Sequence, residues 1–213
     1  MLLQLTKLTD SSVESLRESF SGLPETEHLD GKYRLRRYSV VQCTDKDCDE
    51  LEIRTFNQSD EYNKFQGNMT RRFDPVEESV VHSSGMLEMC SMFKSVCGFP
   101  DDQKIDVHQM RVITLNEETP VSPEGIHQDG YDYICIVGID RSQVEGGHLL
   151  VYSDKESDPF LSLPLSDGVA VMLNDRLLWH NASKITATTD TDGYVDAFIL
   201  TAKEDMDRTV FPK

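Results

Sequence analysis

His127 and Asp129 are two residues apart in Ile126-His127-Gln128-Asp129-Gly130, and on a β-strand two such side chains project from one face. A second imidazole, His180 in Leu178-Trp179-His180-Asn181, follows about fifty residues later at the end of another apolar run. Two imidazoles and one carboxylate on one side of a metal leave three coordination positions free, the arrangement of non-haem Fe(II) oxygenase centres. The same ligand types also serve catalytic Zn²⁺, for which Glu124 or Asp132 is available as a neighbouring general base. Residue chemistry alone leaves both metals open. His28, His82 and His148 have no comparable companions and read as hydrogen-bonded structural residues.

The elements that must bring His180 to the other pair are β-strands. From residue 106 onward the pattern predicts strands over 106–115, 131–139, 147–153, 160–164, 168–173, 177–181 and 195–202. Gly146-Gly147, Asp154-Lys155, Ser166-Asp167-Gly168 and Asp192-Gly193 supply the turns. Short strands at near-regular spacing predict a sandwich or jelly roll, mainly β with flanking helices, in place of a parallel α/β sheet. In a jelly roll, strands far apart in sequence lie side by side and converge at one mouth. The chain contains no Gly-rich phosphate loop, no Gly-x-Ser-x-Gly elbow and no internal repeat.

Upstream, Ser11-Ser12-Val13-Glu14 reads as a capping box. It opens a helix over 10–22, with Val13, Leu16 and Phe20 at helical spacing and Gly22 and Pro24 closing it. Strands are expected from Tyr33 to Cys43 and from Leu51 to Asn57, around the solvated loop Asp45-Lys46-Asp47-Cys48-Asp49. That loop fails as a calcium site because Glu50 stands where a Gly is needed and Phe56 where a bidentate Glu is needed. Gln58 to Phe73 reads as a polar connection folded over something. Asp74-Pro75 is expected to start a helix running to about Cys97, broken or kinked near Ser83-Ser84-Gly85 and stopped by Gly98 and Pro100. Met86, Met89, Met92, Cys90 and Cys97 read as core. The cluster Arg34, Arg36 and Arg37 has two readings, an ion-paired or solvated strand face and a contact with an anionic ligand.

A chain of 213 residues fits one domain over 1–213, with a helix-and-strand flank over 1–105 and a jelly-roll core over 106–203. A net charge of −17 repels nucleic-acid phosphates and disfavours anionic membrane surfaces. No apolar run reaches the roughly 18 residues of a membrane span, and the start Met1-Leu2-Leu3-Gln4-Leu5 lacks the basic region of a secretory signal. A soluble, cytoplasmic protein is expected, with its five irregularly spaced cysteines reduced and the sequons at Asn57, Asn68 and Asn181 without meaning.

Several blocks together are similar to the bacterial 2-oxoglutarate/Fe(II) dioxygenases that include L-isoleucine dioxygenase. They are Arg34-Leu35-Arg36-Arg37-Tyr38, Gln58-x-x-x-x-Asn63, His108-Gln109-Met110-Arg111, Pro123-Glu124-Gly125-Ile126-His127-Gln128-Asp129-Gly130, Arg141 before Gly146-Gly147, and His180. The similarity runs from about residue 30 to 202, and the Pro-Glu-Gly-x-His-x-Asp-Gly block is its most specific part. The resemblance implies a double-stranded β-helix of cupin-like shape. It implies Fe(II) held by His127, Asp129 and His180, with 2-oxoglutarate and O₂ as co-substrates. It also implies oxidation, usually hydroxylation, of a free amino acid or a similar small molecule, with no catalytic side chain beyond the ligands.

One departure stands out. The family carries an Arg in a Gly-x-Arg-Asp stretch that pairs with the distal carboxylate of 2-oxoglutarate, and here that stretch is Gly193-Tyr194-Val195-Asp196. Valine cannot replace a bidentate guanidinium. Gln109 and Arg111, on the Val107-Ile113-Leu115 face of strand 106–115, are expected to point inward; Arg111 then meets an internal carboxylate or a ligand carboxylate. Lys184 and Tyr194 are weaker substitutes. The alternative is a metal-dependent, cupin-like enzyme that does not use 2-oxoglutarate.

Overall fold

Strand residues through much of this chain are buried on both faces, and two buried faces require a sheet with a layer on each side. The structure is a computed structural model and describes residues 1–53, 55–115 and 118–203. The first half runs β1 (Leu3–Lys7), α1 (Asp10–Arg17), a 3-10 turn (Glu18–Gly22), β2 (Arg34–Cys43), β3 (Cys48–Leu51), β4 (Thr55–Phe56), β5 (Arg71–Arg72), α2 (Glu78–Val81) and α3 (Ser84–Cys97). Then follow β6 (Lys104–Ile113), β7 (Tyr133–Ser142), β8 (Val144–Gly146), β9 (His148–Tyr152), β10 (Leu161–Pro164), β11 (Val169–Asn174), β12 (Trp179–Ala182), β13 (Ile185–Ala187) and β14 (Tyr194–Ala202).

Antiparallel pairing builds a seven-stranded sheet in the order β1-β11-β7-β14-β6-β2-β3 and a three-stranded sheet in the order β10-β9-β12. Together they form a jelly roll, the predicted double-stranded β-helix. The strands β1, β2 and β3 from the first fifty residues extend the same large sheet on both sides.

Period-2 alternation sorts the two faces of that sheet. On β7, Cys135, Val137 and Ile139 join the cluster under the helices, while Ile134 and Ile136 pack toward the smaller sheet with Leu149, Val151 and Leu178. On β14, Phe198 and Leu200 face the helices. The helical layer contributes Leu16, Phe20, Met86, Met89 and Phe93, and Phe20 meets Phe198 edge-on at 5.1 Å. Gly85 lets α3 approach α1 closely, since a Cβ there would meet Leu16 Cγ at 2.5 Å and the Ser12 carbonyl oxygen at 2.7 Å.

Local differences from the sequence expectation have physical causes. The first helix is capped by Thr9, whose hydroxyl accepts from the Ser12 amide, and the acidic partner is Glu88 of α3, which accepts the Thr9 amide at 2.9 Å. A residue distant in sequence thus takes the place expected of Glu14. The second helix starts at Glu78, because residues 74–76 pair with β2 instead: the Asp74 carbonyl accepts from Tyr38 and the Val76 amide donates to Ser39 Oγ. The expected break is present, with Ser83 capping α3, and Gly98 closes it in the left-handed region at φ 73°. The strand expected over 51–57 is replaced by β3 and β4, with Arg54 outside the described residues.

The β2–β3 hairpin sets Cys43 opposite Cys48, and the two are joined as a disulfide, which corrects the expectation of five reduced thiols. Cys90, Cys97 and Cys135 are free. Among the described residues no helix is long and apolar enough to cross a membrane.

Candidate active site

The backbone itself draws the two imidazoles together. His127 sits just before β7 and bridges to β12, its amide donating to the His180 carbonyl at 3.0 Å and the His180 amide donating back at 2.9 Å. Opposed residues in such a bridge put their side chains on one side, and the ring centroids lie 4.3 Å apart. Asp129 completes the set: Oδ1 is 3.5 Å from His127 Nε2, and Oδ2 is 3.5 Å from His180 Nε2. The three ligand atoms lie within 4.8 Å of one another. Separations of 3.5 Å are long for hydrogen bonds and close to the ~3 Å between neighbouring donors on a metal with bonds of ~2.1 Å.

Each imidazole is oriented from behind. His127 Nδ1 lies 2.8 Å from the Gly125 carbonyl, so it carries the proton and leaves Nε2 free to ligate. His180 Nδ1 points toward Asp175 at 3.8 Å. Asp175 is buried and accepts backbone N–H bonds from Asp129, Gly130 and Tyr131, which pins the loop carrying the carboxylate. Gln58 donates to Asp129 Oδ1 at 3.1 Å, and its own carbonyl accepts from Asn63 at 2.9 Å. The polar connection over 58–73 therefore folds over the site and supplies groups behind the ligands.

Electrostatics match a cation site. Burial works against ionising Asp129, but the two imidazoles hold its carboxyl well below the usual range. Burial would lower His127, yet the Asp129 hydrogen bond and charge, with Glu124 nearby, raise it to about 9. Burial and the Asp129 charge push Asp175 up to about 6. A carboxylate and imidazoles that depend on one another for charge compensation are what a divalent metal would relieve.

The triad opens on a cavity of about 150 Å³. Ile136, Leu149, Leu165 and Ile199 form an apolar wall, and Arg34, Arg36, Arg71 and His108 a basic one. Val195 lines the cavity too, in the row of Val112 and Arg34 across three strands.

The other sequence-predicted residues lie elsewhere. Arg111 is on the opposite face of β6, in a bidentate ion pair with Asp196 at 2.7 and 2.6 Å and stacked 4.0 Å over Tyr194. Gln109 donates to Ser19 Oγ at 2.7 Å under the helices. Tyr194 donates to Asp140 at 3.0 Å, and Lys184 pairs with Glu118 at 2.8 Å in solvent. None of the four lines the cavity. The expectation that the Val107 face points inward holds for Val107 and Gln109, buried under the helices, while Arg111 is half-buried and Leu115 exposed. The bases suggested for zinc are engaged as well: Glu124 with Arg34 at 3.4 Å and Asn63 at 3.3 Å, and Asp132 with Arg176.

Asp175 was not singled out in the sequence, since one Asp in a turn has no periodic signal. Arg71 lies in the polar connection over 58–73 without a signal of its own, and Arg36 stands out in the sequence only within the basic cluster.

The profile of the 2OG-Fe dioxygenase family matches residues 17–201, and the chain belongs to that family. It is an Fe(II)- and 2-oxoglutarate-dependent oxygenase, with O₂ as the further co-substrate. No curated protein sequence matches the chain. Its fold is similar to that of a bsmA homolog from Methylobium petroleophilum, at 22% identity and a TM-score of 0.77, covering 92% of this chain and 82% of that one. It is also similar to IDO from Bacillus thuringiensis, at 15% identity and a TM-score of 0.72, covering 92% of each chain. The Fe(II)/(alpha)ketoglutarate-dependent dioxygenase TqaL follows at 12% identity and a TM-score of 0.69, covering 94% of this chain and 82% of that one. At these identities the likeness is one of fold. Family membership sets aside the cupin-like alternative without 2-oxoglutarate, and the resemblance to L-isoleucine dioxygenase holds at the level of the wider family.

Proposed function

We propose that the protein oxidises a free amino acid or a closely related small molecule, with His127, Asp129 and His180 as its iron ligands. The observation that carries this reading is the convergence of two Nε2 atoms on one carboxylate at the mouth of a small, mostly apolar cavity. Bound Fe(II) supplies the activation of O₂, with 2-oxoglutarate as the electron donor. The chain's own part is binding and orientation. Gly125 aims the His127 imidazole, and Gln58 and Asp175 steady Asp129. Leu149, Leu165 and Ile199 keep water from the aliphatic part of a substrate.

The apolar wall of Ile136, Leu149, Leu165 and Ile199 supports a small substrate with an aliphatic group. The test is to incubate the Fe(II)-loaded protein with 2-oxoglutarate, O₂ and a panel of amino acids, following succinate and product mass together. Succinate release coupled to a mass gain on one amino acid is expected. Succinate formed with no amino acid changed would refute the substrate class while keeping the oxygenase.

A further inference from the structure

The family's cation is missing at Val195, and the same cavity holds a surplus of positive charge elsewhere. Arg34, Arg36 and Arg71 are all buried there, facing the two buried carboxylates Asp30 and Glu124. Both carboxylates are taken by Arg34, at 2.7 and 3.4 Å. Among the described residues the Arg36 side chain meets Met110 Sδ at 3.3 Å and the Phe73 ring at 5.4 Å, while Asp30 and Glu124 act on it through their charge and not through a hydrogen bond. Arg71 has the Gln58 carbonyl at 3.3 Å and the Phe56 ring at 4.7 Å, and its Nε is buried without an acceptor. Two buried guanidiniums with no hydrogen-bonded carboxylate among the described residues are costly unless an anion joins them.

Charge counting identifies that anion. Three guanidiniums against two carboxylates leave one positive charge; Fe(II) against Asp129 would leave another. A dianion whose one end chelates the metal and whose other end reaches the arginines cancels both, whereas a zwitterionic amino acid cancels neither. The register places the arginines suitably. Arg36 pairs with Met110 and Met110 with Ala197, so Arg36 shares the face of Val195, two strands over and one pair along. Arg71 is one amide away from the ligand set, since Gln58 bonds both Arg71 and Asp129. His108 lines the wall beside them, and burial with the Arg36 and Arg71 charges keeps it neutral.

We propose that Arg36, backed by Arg71, anchors the distal carboxylate of 2-oxoglutarate, the role that the family gives to an arginine at the Val195 position. This inference rests on the oxygenase reading above, and its test separates the two. The anaerobic, Fe(II)-loaded protein is titrated with 2-oxoglutarate and with 2-oxopentanoate, which keeps the chelating end but lacks the distal carboxylate. Binding is read by calorimetry and by the visible charge-transfer absorption of the chelate.

The wild type should prefer 2-oxoglutarate by roughly 10- to 100-fold, the range of a charged hydrogen-bonded pair. Arg36→Met should lose that preference with 2-oxopentanoate and Fe(II) binding unchanged, and Arg36→Lys should keep part of it. Metal-free Arg36→Met should melt no lower than the wild type, because it removes an uncompensated buried charge. Full preference retained in Arg36→Met overturns the anchor, and so does a loss confined to binding of the amino-acid substrate. A wild type that binds neither oxo acid would sink the oxygenase reading itself.

Discussion

At the scale of residues, the candidate centre separates groups that would touch the metal from groups that aim them. His127, Asp129 and His180 would present the ligand atoms, while Gln58 and Asp175 hold Asp129 through hydrogen bonds to its carboxylate and its amide. Replacing an outer group of this kind costs roughly 10- to 100-fold in metal affinity. Asp175→Asn and Gln58→Leu should fall in that range, and each single Ala variant of the three ligands should lose more. Anaerobic Fe(II) calorimetry makes the comparison. A ligand variant with wild-type affinity leaves the set. The pair His127-x-Asp129 was readable because strand geometry needs only a spacing of two. Asp175 was not readable, because its value comes from three amides that only the folded loop brings to it.

At the scale of elements, β6 shows how an alternation can be read correctly and still mislead. Val107 and Gln109 are buried on one face with Arg111 half-buried beside them, and His108, Met110 and Val112 are buried on the other. Parity separates the two sets and is silent on which one meets the helices. The helical side holds Arg111 against Asp196, and this pair makes a pH prediction. Burial raises Asp196 from its ordinary 3.8 to about 6 despite the Arg111 guanidinium, while the pair still holds Arg111 above its ordinary value.

An acid whose folded pKa is raised binds more protons folded than unfolded, so its contribution to stability falls as pH rises between those two values. Asp196 therefore costs nothing below about pH 3.8, and its cost is complete above about pH 6. In Arg111→Met the uncompensated carboxylate should carry this loss to higher pH. The measurement is the melting temperature of both proteins from pH 4 to 8 (about the span of the shift). A gap between the proteins that stays constant over that range would show that the carboxylate is not the source.

At the scale of the whole molecule, a sheet completed by strands from the first fifty residues and sealed by helices gives the cavity walls that do not depend on the metal. Ligand binding should then stabilise the fold as a unit. With Fe(II) present and 2-oxoglutarate at 100 times its dissociation constant, the melting temperature should rise by roughly 5–10 °C. The same co-substrate without metal should give a much smaller rise. Equal shifts with and without metal would mean that the co-substrate binds away from the triad.

The amino-acid order alone determined the main strands from β6 onward, the jelly-roll class and the candidate set His127, Asp129 and His180, because hydrophobic alternation and the two-residue spacing are local properties of the chain. The short strands β1, β8 and β13 carried no such signal. It also held the warning at Val195. Which buried face carries the cavity, which arginines lie unpaired in it, and that Cys43 meets Cys48 were decided only by tertiary structure. The first two facts depend on pairings between strands tens of residues apart and on the helices covering one side, which no local pattern encodes. The third is local, five residues apart across the β2–β3 hairpin, but depends on that hairpin's register.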